Sequence, residues 1–138
     1  MTQQAIFLPM LAMVVLTIAV TLRMYVSRIG EMKRERIHPQ SVATSAQAAA
    51  KLTDTRAADN LRNLFELPVL FYVAVLVAAQ TGHTTTTLVL AWLFVALRVL
   101  HSLIHCSYNK VMHRFKVFLA GFAVLCVLWG HLGFRLFA

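Results

Sequence analysis

The chain has 138 residues, of which 59% are hydrophobic and only 13% charged, and its mean hydropathy is +0.71. A soluble domain of this size has too little polar surface to keep so much apolar side chain out of water, so a soluble fold is excluded. The net charge of +8 invites a nucleic-acid reading, but the basic residues lie at the ends of apolar runs and in two short loops, without an aromatic-interleaved basic surface; no nucleic-acid partner is expected.

The first apolar run covers residues 5–27 and is interrupted by Arg23. A helix crossing the hydrocarbon core needs about 20 residues, so this run predicts the first span. Arg23 is expected only to snorkel, its stem lying along the apolar surface and its charge at the interface. The run lacks a basic leader and a small-residue cleavage site, so it reads as a retained helix and not a cleaved signal. Residues 29–63 form the one sizeable hydrophilic stretch. Pro39-Gln40-Ser41 predicts a break and a helix start, and residues 46–51 propagate that helix. After Thr53-Asp54-Thr55 a new helix is predicted to run without a break into the second span, residues 64–81. Pro68 lies inside that span, where it removes a backbone hydrogen bond and favours a kink.

Gly82 and residues 84–87 predict a short hairpin, followed by a third span at 88–106 and a fourth at 115–134. His83 and His131 fall near the outer ends and are expected in solvent. Cys106 and Cys126 lie on different helices without metal or redox spacing, and are expected to be buried apolar thiols. The fold class that follows is all-α: one domain over residues 1–138, an integral membrane four-helix bundle.

Lys and Arg are unevenly shared among the loops. Lys33, Arg34, Arg36, Lys51, Arg56 and Arg62 fall in the first, and Lys110, Arg114 and Lys116 in or beside the third. The second loop, residues 80–87, has none, and Arg135 is a minor exception at the outer end. The positive-inside rule therefore puts the first and third loops in the cytoplasm and both termini on the opposite side.

Polar residues at membrane depth are rare and mark functional sites by default. Asp59, Arg62, Asn63 and Glu66 recur at steps of three, four and seven at the start of span two, which puts them roughly on one helical face. Arg98, His101 and His105 repeat those steps on span three. A charge at a helix centre costs about 2.5 to 3.5 kcal/mol, and Glu66 is the carboxylate the spans supply, so an Arg98–Glu66 pair is expected, within one protomer or between protomers. The converging groups are mainly donors and cations: Arg62, Asn63, His101, His105 and Arg114. Such a set suits a small anionic or zwitterionic ligand, with Glu66 available for an ammonium group. Helix association through polar pairs is the plainer use of the same residues. His101 and His105 at an i, i+4 spacing near Glu66 also raise a metal or haem site, which the charges of Arg62, Arg98 and Arg114 oppose; no metal is expected.

The run Arg62-Asn63-Leu64-Phe65-Glu66-Leu67-Pro68, then Arg98-Val99-Leu100-His101, then Arg114, resembles the MAPEG family, the membrane-associated proteins of eicosanoid and glutathione metabolism. The resemblance runs from about residue 24 to residue 116 and is to the small bacterial members. It implies a homotrimer in the bacterial inner membrane, with glutathione as cosubstrate bound between neighbouring protomers near the cytoplasmic side. By position, Arg62, Asn63 and Glu66 bind glutathione, His101 lines the pocket, and Arg114 stabilises the thiolate; Arg98 and His105 complete the binding set. His101 is the second catalytic candidate. Three positions depart from the family pattern: Asp59 replaces a basic residue, and His105 and Phe118 replace tyrosines. The implied function is a membrane-embedded glutathione transferase or peroxidase acting on a small lipophilic electrophile or hydroperoxide. The alternative is a non-catalytic membrane subunit, or a lipid-binding or interaction protein, on the same fold.

Overall fold

The computed structural model describes residues 3–137, which fold as an all-α protein. A 3₁₀ turn at Gln3–Ile6 leads into α1, Phe7–Arg34. This helix continues past the first apolar run because residues 28–34 contain no proline and end in Lys33 and Arg34, which suit a helix C-terminus. It closes where Arg36 turns left-handed at φ 53°. Glu31 thereby becomes a helix residue, buried on the inner side of α1, instead of the start of a loop.

The hydrophilic stretch is ordered in the way its sequence suggests. Pro39–Val42 makes a 3₁₀ turn, and α2, Ser45–Lys51, begins at a capping box in which Thr44 and Gln47 satisfy each other's amides. Two α1 side chains hold this strap. Arg28 donates to the Val42 carbonyl at 2.9 Å. Glu31 accepts from the Thr53 amide and hydroxyl, both at 2.6 Å, and from the Asp54 amide at 3.3 Å.

The second span departs from expectation. Two helices, α3 (Arg56–Leu64) and α4 (Leu67–Thr81), replace the single unbroken one. Pro68 has no N–H for the Leu64 carbonyl, and its ring clashes with a helical carbonyl four residues back. The chain accordingly breaks at residues 65 and 66, with Glu66 at φ −97°, ψ −100°, and the side chains of Phe65 and Glu66 are exposed.

At the other end Gly82 takes φ +80°, a conformation glycine adopts freely, and Thr84 with Thr87 forms a second capping box that starts α5, Thr85–Cys106. The final helix is α6, Val111–Phe137. Its end holds the hairpin: His131 Nε2 lies 3.1 Å from Thr84 Oγ1, and Arg135 donates to the Gly82 carbonyl. The two outer histidines are thus not simply solvated. His131 is bonded, and both ring nitrogens of His83 are buried without a hydrogen-bond partner among the described residues.

Among the described residues, four stretches are long and apolar enough to cross a membrane: Gln4–Arg34, Arg56–Thr81, Thr85–Cys106 and Val111–Phe137. Helix α5 is the most enclosed and packs most extensively on α6, while α1 lies against α3, α4 and α5. Lipid tails are as apolar as leucine, so close packing must hold such helices together. Ala74, Ala78 and Ala91 are fully buried and let backbones approach, and Phe71 stacks on Phe94 with centroids 4.7 Å apart. Val15, Val26, Leu103 and Phe134 point outward. Cys126 is also exposed and Cys106 half-buried, so the thiols are not the buried pair the sequence suggests.

Two arginines tie the basic end together. Arg23 does more than snorkel: it donates to the Cys106 carbonyl at 2.7 Å, and Arg56 donates to the Ser107 carbonyl at 2.6 Å. Both bonds satisfy carbonyls left open at the end of α5. Arg56 is also paired with Asp54 at 2.8 Å, which holds that carboxyl below its ordinary range.

Candidate functional site

Helix α3 turns Ala57, Asn60 and Leu64 inward, a spacing of three and four that makes them its core stripe. Asn60 is fully buried; it donates to Cys106 Sγ at 3.4 Å and accepts from Ser102 Oγ at 3.3 Å. Asn60 is not among the residues the sequence marks out, although its register with Ala57 and Leu64 is a signal that places it inside.

The four polar residues expected on one face of span two are divided by that choice of inner face. Asp59 and Arg62 border a cavity of about 270 Å³ between α1, α2 and α3, together with Arg28 and Asp54. They form a loose ion pair at 4.0 Å with both side chains well exposed. Asn63 lines a different cavity, against α5 and α6. Glu66, beyond the chain break, is exposed and joins neither cavity's lining.

The stripe on α5 stays together because the helix is continuous. Arg98, His101 and His105 are 1%, 3% and 2% exposed. Arg98 lies between the rings of Phe94 and Phe118, 5.4 and 5.1 Å from their centroids. This is cation–π packing, and none of its three nitrogens finds a hydrogen-bond partner among the described residues. The Arg98–Glu66 contact is therefore not made within one chain. The ion pairs among the described residues are Arg34–Glu35, Arg56–Asp54 and Arg62–Asp59. The break at residues 65 and 66 sends Glu66 outward while the aromatic rings enclose Arg98.

Beside Arg98, Phe118 also meets His101 at 5.9 Å, and His101 meets His105 edge-on at 5.6 Å. Arg114, in the first turn of α6, donates from NH1 to His105 Nε2 at 2.9 Å and to Asn109 Oδ1 at 2.8 Å. A guanidinium has no acceptor, so the imidazole accepts at Nε2 and carries its ring proton on Nδ1.

Asn63, His101 and Arg114 meet around one cavity of about 210 Å³, walled by Val111, Phe115 and Phe118. Neither His101 nitrogen has a hydrogen-bond partner among the described residues, although both are buried. The lining is cationic and donor-rich on one side and aromatic on the other. It suits an anionic polar group beside an apolar one. Of the sequence candidates, this cavity gathers Asn63, His101 and Arg114, with His105 directly behind Arg114; Arg62, Glu66 and Arg98 are not in its lining. Among the described residues, no group of three or more His, Cys, Asp or Glu is arranged to hold a metal ion.

Four apolar helical paths, with a cationic, aromatic-walled cavity at the basic end, define an integral multi-pass membrane protein. No curated protein and no solved structure matches the chain. The chain belongs to the MAPEG family, which it matches over residues 6–134. That is a family of membrane glutathione-related enzymes.

Proposed function

We propose that the protein is a glutathione-dependent transferase or peroxidase of the bacterial inner membrane, acting as a homotrimer on a small lipophilic electrophile or hydroperoxide. The basic loops then face the cytoplasm, where glutathione enters, and the lipophilic substrate arrives from the bilayer. The observation that carries this reading is the meeting of Asn63, His101 and Arg114 at one aromatic-walled cavity.

The chemistry asked of these groups is modest. A guanidinium stays protonated at working pH, so Arg114 favours the thiolate of a bound thiol without giving up a proton. In conjugation the thiolate sulfur forms a bond to the electrophilic carbon, the leaving group departs with the bonding pair, and the thiol proton has already gone to solvent or to His101. His101 has the buried, unbonded ring nitrogens such a transfer needs. Asn63 contributes neutral hydrogen bonds to the peptide part of glutathione.

Trimer formation is supported by the outward residues. Arg62 and Glu66 are exposed at the basic end, and rows of apolar side chains face away from the protomer core. A neighbouring protomer brings Arg62 and Glu66 towards a shared ligand in this reading. Purified protein in detergent should weigh three chains by native mass spectrometry and should consume an aryl halide only when glutathione is present. A stable monomer counts against the assembly. Absence of any reaction shifts the reading to the non-catalytic subunit, and a reaction indifferent to glutathione contradicts the proposed cosubstrate.

A further inference from the structure

Arg114 is held by two acceptors that reach it from one short turn. His105 belongs to the last turn of α5, and Asn109 stands between α5 and α6. Asn109 adopts φ 49°, in the left-handed region where asparagine is among the few tolerated side chains, and its amide donates to the Ile104 carbonyl at 2.9 Å. That backbone bond closes α5 while the side chain turns to Arg114. Both acceptors take hydrogens from the same nitrogen, NH1. A guanidinium has five N–H donors, so the two on NH1 are used and the others, on NH2 and Nε, are left for a ligand.

His105 is itself 2% exposed, absent from the lining of the cavity, and has its single acceptor nitrogen occupied by Arg114. Its Nδ1 has no partner among the described residues, but the ring does not reach the cavity lining, so it meets a ligand only by way of Arg114.

We propose that His105 and Asn109 are positioning residues: a two-point clamp that fixes the rotation of the Arg114 guanidinium and presents its unused edge to the cavity. The inference rests on the reading of Arg114 as the thiolate-stabilising group. A long arginine side chain has much rotamer freedom to lose, and fixing it before the ligand arrives removes that ordering from the binding and chemical steps. The clamp also explains a histidine at this buried position, where an apolar residue would pack as well.

The test uses the full chain in detergent with two readouts. The first, free of glutathione, is ¹⁵N NMR of labelled histidine. His105 should be the tautomer protonated at Nδ1, and Arg114→Ala should abolish that bias. The second is the ultraviolet absorbance of the thiolate when glutathione is added, measured beside glutathione affinity. Losing one hydrogen bond to a charged group predicts that His105→Leu lowers the thiolate signal about tenfold while affinity changes less than about twofold. His105→Gln, whose Oε1 can accept the same bond, should restore most of the signal. Asn109→Gly keeps the left-handed backbone without the acceptor and should fall between them.

A proton on Nε2 in wild type overturns the clamp whether or not glutathione binds. So does a full thiolate signal in His105→Leu when Arg114→Ala has none. The expected tautomer without any wild-type thiolate signal supports the clamp and removes the proposed chemistry instead.

Discussion

Arg114→Ala is expected to lower glutathione-dependent turnover about a hundredfold, the size of effect seen when one preorganised donor is removed from a developing anion. Glutathione affinity should change far less, because Asn63 and His101 still line the cavity. The separation follows from what each group recognises. Asn63 offers neutral hydrogen bonds that substrate and transition state share, whereas a fixed positive charge acts on the sulfur anion that reacts. Steady-state kinetics should show kcat falling with KM nearly constant, and the thiolate absorbance of bound glutathione should vanish. An Arg114→Ala protein with normal kcat would remove the residue from the mechanism.

Asn60→Ala should be the most damaging polar substitution for stability, costing about 2 kcal/mol and lowering Tm by several degrees. Asn60 is fully buried and serves two partners, Ser102 and Cys106. Alanine leaves the Ser102 hydroxyl without an acceptor and opens a small void between α3 and α5. Glu66→Gln, on an exposed side chain beyond the chain break, should leave the melt nearly unchanged. Thermal melts of the two variants in one detergent make the comparison. Equal losses would mean that Glu66 has a stabilising partner in the folded protein, within the chain or in a neighbouring protomer.

The contrast between these residues marks where the sequence could be read and where it could not. Long apolar runs identify membrane helices because lipid tolerates little else, and the threonine-rich hairpin announces its own cap at Thr84. The stripe of Arg98, His101 and His105 was legible because a continuous helix preserves its phase. The stripe on span two was not. Pro68 breaks the helix ahead of it, and the inner face belongs to Ala57, Asn60 and Leu64, one residue out of step with the charged set.

Depth alone does not decide the pairing of Arg98 within one chain. It places Glu66 at a compatible height without its direction, and within the chain the rings of Phe94 and Phe118 enclose the charge. Glu31 was hidden for a related reason. It falls in the hydrophilic stretch of the sequence, but α1 runs on through Arg34 and buries it against Thr53. Arg114 and His105 were both singled out in the sequence, but the bond between them depends on the left-handed turn at Asn109, which composition does not signal.

Equilibrium binding of glutathione to the purified protein tests most directly whether Asn63, His101 and Arg114 form a glutathione site. Wild type should bind saturably, and Asn63→Ala and His101→Ala should each weaken binding about tenfold, as the loss of one buried hydrogen bond predicts. Absent saturable binding, or binding indifferent to both substitutions, would contradict it.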